Sequence, residues 1–80
     1  METKIIIEYL NDKSVSIVKK KYLMEDGKEY YIGNPHRTAY VNSTLGRSLL
    51  SQEVPEPYYS SVISVWGNVP LVEDNDQNIW

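Results

Sequence analysis

The sequence predicts an α+β domain: a small antiparallel sheet of three or four strands, with two C-terminal helices packed on one face. Three observations predict it. The apolar residues are mostly β-branched or aromatic, with eight valines, seven isoleucines, seven tyrosines and two tryptophans against one alanine and no phenylalanine. Such residues suit a pleated, half-buried surface. An Asp26-Gly27 pair stands between two strand-forming runs, and that pair favours a two-residue hairpin turn with positive φ at both positions. After residue 41 the apolar spacing changes from alternation to steps of three and four, the helical period.

The elements follow in order. KIIIEYL, Lys4 to Leu10, is short and β-branched and is closed by the turn pair Asn11-Asp12, so it reads as the first strand. Ser14 to Met24, SVSIVKKKYLM, is a longer second strand in which Val15 and Ile17 share one parity and Tyr22 and Met24 the other. A parity switch inside one extended run predicts a bulge or a change of partner near the lysines. The first half is expected to pair back onto strand one and the second half forward. With Asp26-Gly27 as the loop, Tyr22 faces Tyr31 and Leu23 faces Tyr30, cross-strand pairs of up to about 1 kcal/mol each. Gly33-Asn34-Pro35 is expected to end the third strand, because proline cannot donate to a ladder. His36 to Val41 then forms a short fourth strand or an extended link.

Asn42-Ser43-Thr44 offers helix caps. Leu45, Leu49 and Leu50 follow at helical spacing, Gly46 costs this helix about 1 kcal/mol relative to alanine, and Val54-Pro55 stops it. A second helix begins at Pro57, which suits a first turn, and runs to Trp66 with Gly67 as its C-terminal cap. Tyr59, Val62, Ile63 and Trp66 make its apolar stripe, and Ser60, Ser61 and Ser64 its polar side. Ile5, Ile7, Val15, Ile17 and one side of the Tyr22/Tyr31 hairpin are the expected inner sheet face, closed over by Leu45, Leu49, Ile63 and Trp66. Residues 1–72 read as a single domain and 73–80 as a loose acidic tail ending on Trp80.

Size and charge narrow the function. Eighty residues bury about 60% of the surface that the unfolded chain exposes, enough for a single core. Cysteine is absent, which excludes disulfides, thiolate metal sites and a cysteine nucleophile and is compatible with a reducing cytoplasm. The apolar run before Glu8 is only three residues long, neither a signal peptide nor a spanning segment, so a soluble protein is expected. The net charge is −3, and phosphate binding needs a basic footprint. Lys19, Lys20 and Lys21 alternate between faces if the run is a strand, the pattern of a solvated or protected edge strand. A nucleic-acid-associated regulator using Lys19, Lys20, Lys21, Arg37 and Arg47 is therefore the alternative reading. The second helix carries no arginine, lysine, asparagine or glutamine from Tyr58 to Trp66, so it does not read a DNA groove.

Catalytic and metal signals are equally sparse. His36 is the only histidine and reads as a turn residue bonded to nearby backbone rather than a general base. The pairs Glu25/Asp26 and Glu73/Asp74 lie in a tight turn and in the tail, where neither is desolvated enough to tune a pKa. The segment EDNDQN lacks the glycine and terminal glutamate of a calcium loop. No cofactor, metal or small-molecule substrate is expected. The aromatics remain. Tyr58 and Tyr59 are neighbours, diverge by about 100° around a helix and cannot both centre on one apolar face. With Trp80 at the end of a polar tail, they are the candidate protein-interaction residues, since tyrosine and tryptophan are enriched at interfaces.

KKYLMEDGKEYYIGNPHRTAYVNSTLGRSLL followed by VPEPYYSSVISVWGNVPLV resembles small uncharacterised proteins of tailed phages and prophages of Gram-positive bacteria, over about residues 19–72. The glycine-to-histidine-arginine segment, the PEPY helix start and the Trp66-Gly67 ending carry the resemblance. It implies a phage structural or accessory protein, in the bacterial cytoplasm or the virion, acting through protein contacts. It transfers no site residues. The expected function is thus a non-enzymatic protein-interaction module, self-associating as a homo-oligomer or bound to a protein partner.

Overall fold

A computed structural model of the chain describes residues 2–73. Its elements are β1 (Glu2–Glu8), β2 (Ser14–Glu25), β3 (Lys28–Val41), α1 (Thr44–Glu53) and α2 (Tyr58–Trp66). The three strands form one antiparallel sheet in the order β1-β2-β3. The architecture is the expected α+β one, with three strands rather than four. The tail expected over 73–80 lies outside the described residues from 74 onwards, and Trp80 with it.

The hairpin forms as its turn chemistry dictates. Asp26 and Gly27 both take positive φ, 52° and 79°, and the register places Tyr22 opposite Tyr31 and Leu23 opposite Tyr30. β1 starts and stops two residues earlier than expected. Tyr9 adopts φ 52°, a conformation that leaves the extended region. Beyond it the Asn11 carboxamide accepts from the backbone N–H of Lys13 (2.8 Å) and Ser14 (3.0 Å) to close the turn.

Four expectations about the sheet are corrected. Gly33-Asn34-Pro35 does not end the third strand; it forms a bulge within β3. Between the paired positions Lys19/His36 and Lys21/Ile32, β2 contributes Lys20 alone and β3 contributes those three residues. A bulge is where a strand tolerates a missing N–H, and Gly33 supplies the positive φ of 71°. The irregularity falls beside the lysines as the parity switch requires, but the extra residues belong to β3. His36 consequently sits in a strand and not in a turn. Nor does β2 divide its partners by halves: Ser16 to Tyr22 pair with β1, while β2 pairs with β3 along its whole length except at Lys20. The lysine run lies in the central strand, so it protects no edge.

Directly opposed residues share a sheet face, so the register assigns both faces. Val15, Ile17 and Tyr40, of one parity, join Leu50, Val54, Val62 and Trp66 in the buried cluster. Ile5, Ile7, Leu10, Tyr58, Tyr59 and Ile63 pack against it half-buried. We call this the core face. Ile6, Val18, Arg37, Lys20, Tyr22 and Tyr31 have the opposite parity and form the outer face.

Leu45 and Leu49 do not close over the sheet; they are 50% and 39% exposed, and Leu50 is the buried leucine of α1. Gly46 explains the rotation. A Cβ there would lie 1.8 Å from the carbonyl oxygen of Val41, so this glycine lets α1 sit against the end of β3. Its own N–H is held by the Ser43 hydroxyl at 2.9 Å, the expected cap. Once Gly46 faces inward, Leu50, four residues on, shares that stripe.

Arg47 and Asn42 tie the helices to the sheet. Asn42, fully buried, donates through Nδ2 to the Asp12 carbonyl at 2.8 Å, and its Oδ1 accepts from Arg47 Nε at 2.7 Å. Its backbone oxygen accepts from the N–H groups of Leu71 and Val72. Arg47 also donates to the carbonyls of Trp66 (3.3 Å) and Val69 (3.2 Å) and lies over the Trp66 ring. Trp66 Nε1 reaches the Asn11 carbonyl at 2.7 Å, and Gly67, at φ 80°, caps α2 through its N–H to Ile63.

Candidate protein-binding surface

β1 covers one edge of β2 only as far as Tyr22. Beyond that point Leu23–Glu25 and Lys28–Tyr30 continue as a two-stranded arm. The molecule is correspondingly long, 48 × 28 × 20 Å with a radius of gyration of 14.6 Å, where a compact chain of this length has about 11–12 Å. The arm and its base expose Leu23, Met24, Tyr30, Tyr31 and Ile32 to between 39% and 52%. Scattered exposed apolar side chains are ordinary, but a contiguous set on one projection marks an interaction surface.

The arm's two faces differ in how far the chain satisfies its own groups. On the outer face, Lys4 bonds the Glu29 carboxylate at 2.8 Å and the Tyr31 hydroxyl at 3.3 Å, and that hydroxyl donates to Glu29 at 3.1 Å. The Tyr22 and Tyr31 rings lie 6.3 Å apart and tilted, a favourable edge-to-face geometry. The ammonium groups of Lys4 and Lys20 stand over Tyr31 at 5.8 and 5.4 Å. The hydrogen bond to Lys4 lowers the Glu29 carboxyl, and the same bond raises the Lys4 ammonium. Partial desolvation raises the Tyr22 phenol. The polar groups Lys4, Glu29 and Tyr31 of this face thus satisfy one another, although Met24 and Tyr31 stay 52% exposed on it.

Its opposite side is built differently. Along the core face, rungs of opposed residues run from the base of the arm to its tip: Lys19/His36, Lys21/Ile32, Leu23/Tyr30 and Glu25/Lys28. The bulge opens a cleft of about 520 Å³ at the base, lined by Thr3, Lys19, Lys21, Ile32, Gly33, Asn34 and His36. Among the described residues no carboxylate lines it. In a chain of net charge −3, such a cleft favours an acidic occupant.

The residues singled out from sequence are dispersed. Tyr58 and Tyr59 both lie half-buried at the margin of the core cluster, at the start of α2 and away from the arm. Lys19 Nζ donates to the Glu53 carbonyl at the end of α1 at 2.8 Å, where a cation complements the helix dipole. Arg37 pairs with Glu8 at 2.7 Å on the outer face, and Arg47 is the internal clamp described above. Lys20 and Lys21 point to opposite faces. Glu25 and Asp26 flank the tip, and Glu73 is exposed. The exposed apolar face of the arm is hidden in the sequence because its residues sit in regular strand-like runs. The available signal was their two-sidedness: Leu23 and Met24 are both apolar, so one of every such pair must face away from any single core.

Among the described residues no group of three or more histidine, cysteine, aspartate or glutamate side chains is placed to hold a metal ion. No helix among them is long and apolar enough to cross a membrane. Comparison with protein-family models, with curated proteins and with solved structures found no match to this chain.

Proposed function

We propose that the protein is a non-enzymatic protein-interaction module, a phage or prophage structural or accessory component, and that it binds through the projecting β-arm. The observation that carries this is the arm's core face, where Leu23, Tyr30 and Ile32 stay 45%, 51% and 39% exposed with no element of the described residues over them. Interfaces enrich tyrosine and are most apolar at their buried centres. Three of the five cations that a nucleic-acid reading would use, Lys19, Arg37 and Arg47, already bond groups of this chain, and Lys20 and Lys21 point to opposite faces. The sheet's free edges are poor docking sites by comparison: β1 has 7 residues, and the bulge interrupts β3.

The test compares the wild type with L23S/Y30S and with L49S, which alters an exposed leucine off the arm. Light scattering and a pull-down read association with itself and with other proteins. Association lost in L23S/Y30S and kept in L49S supports the arm. A protein that stays monomeric and captures nothing beyond what the arm variant captures refutes it.

A further inference from the structure

Resting on that reading, we propose that the arm's occupant is a second copy of this chain, docked face to face and antiparallel about a twofold axis through the Leu23/Tyr30 rung. A twofold contact requires one surface to be complementary to itself. The core face of the arm meets that requirement. Rotation about an axis crossing the strands at this rung lays Leu23 on Leu23 and Tyr30 on Tyr30 of the second copy. It also brings the Lys21/Ile32 rung onto the Glu25/Lys28 rung. Lys21 then faces the second copy's Glu25, and its own Glu25 faces the second copy's Lys21, giving two ion pairs around an apolar centre. Ile32 meets the aliphatic stem of Lys28, whose ammonium remains in water.

The spacing agrees. Successive rungs lie about 7 Å apart along a strand, so the turn Asp26-Gly27, two rungs beyond the axis, falls over the Lys19/His36 rung two rungs before it. That rung lines the cleft of about 520 Å³, and the acidic turn of one copy enters the basic cleft of the other. Among the described residues, neither Lys21 nor Glu25 has an ion-pair or side-chain hydrogen-bond partner within the chain. The outer face offers no equivalent, since its Lys4, Glu29 and Tyr31 already satisfy one another.

Charge reversal tests the register. K21E and E25K alter exposed side chains, and circular dichroism verifies that each variant folds. Sedimentation velocity at increasing concentration is expected to show a reversible dimer for the wild type. Each single reversal weakens it tenfold or more, because like charges then face each other twice. The double variant K21E/E25K restores the wild-type dissociation constant, and an equimolar mixture of the two single variants forms one-to-one dimers. A wild type still monomeric at about 1 mM overturns the proposal. So do single reversals that dimerise like the wild type, or a double variant as weak as the singles. If the wild type is monomeric yet captures another protein in an arm-dependent manner, the second-copy assignment falls while the interaction reading stands.

Discussion

Gly46→Ala is the sharpest single test of the fold. By helix propensity alone the change stabilises an interior helical position by about 1 kcal/mol. The structure demands the opposite sign. The added Cβ would lie 1.8 Å from the Val41 carbonyl oxygen, 2.9 Å from the Val41 carbonyl carbon and 3.1 Å from the Ser43 hydroxyl. Two of those three atoms are backbone at the end of β3 and cannot rotate aside. The oxygen contact must open by more than an ångström, which either moves α1 off the sheet or breaks the cap. Losing the Ser43 cap to the Gly46 N–H costs about 1 kcal/mol, and forcing atoms into a packed site costs about 1–3 kcal/mol more. Against the propensity gain, the net destabilisation is about 1–3 kcal/mol, a large share of the roughly 4–12 kcal/mol available to a domain of this size. Urea denaturation followed by far-ultraviolet circular dichroism measures it, with Ser48→Ala as a propensity control on the same helix. A G46A variant as stable as the wild type, or more so, would refute the close approach of α1 to β3.

Other perturbations separate the buried network from the surface. Leu50→Ala removes a fully buried side chain and is expected to cost about 2–5 kcal/mol, whereas Leu49→Ala, one residue away and 39% exposed, stays within about 1 kcal/mol; the two denaturation midpoints decide whether the inward stripe is the one assigned. Trp66→Phe keeps most of the ring but abandons the bond from Nε1 to the Asn11 carbonyl, so an unpaired carbonyl should cost about 1–3 kcal/mol in the same assay. The Tyr40 hydroxyl, pushed up to about 12 from 10.0 by burial first and then by its hydrogen bond to Glu53, favours the neutral form in the fold. Its contribution is therefore complete below pH 10 and lost as pH rises towards 12, about 2–3 kcal/mol at 1.36 kcal/mol per unit; the stability gap between wild type and Tyr40→Phe should narrow over that window, and parallel curves would contradict the burial of this hydroxyl.

The hairpin was legible because everything that determines it is local. Asp26 and Gly27 set the turn, the turn sets the register, and the register sets Tyr22 against Tyr31. The bulge was half-legible. Parity along β2 shows that the ladder must slip near Lys20, but parity on one strand does not say which strand carries the extra residues. Pro35 read as a stop because a proline ends a ladder in most contexts; here the ladder resumes at His36, with Gly33 making the detour. The inward stripe of α1 was misread for a related reason. Leu45/Leu49 and Gly46/Leu50 are both spaced at four, and hydrophobicity favours the first pair. What selects the second is the room between α1 and the Val41 carbonyl, a tertiary distance that no spacing encodes. By propensity alone Gly46 is a cost to the helix, while in the fold it is the residue that allows the helix to dock.

The same inversion bears on the surface. Tyr58 and Tyr59 are more aromatics than one helix face buries, yet both pack half-buried against the core cluster, as Ile5, Ile7 and Leu10 do. The true excess lies where the sequence looked most regular. A two-stranded hairpin is only marginally stable in water unless a face of it is covered. Lys4 reaches across from β1 to complete the outer face of this one, and nothing in the described chain does so for the core face. Meanwhile Lys19, Arg37 and Arg47 are turned to carbonyl and carboxylate oxygens of the chain itself. An arm that leaves Leu23, Tyr30 and Ile32 in water has a stability deficit that binding can remove. Hydrogen exchange should therefore be fastest at the arm in dilute protein and slow selectively there once the arm is covered; uniform protection along β2 at every concentration would argue that the arm is already satisfied in the monomer.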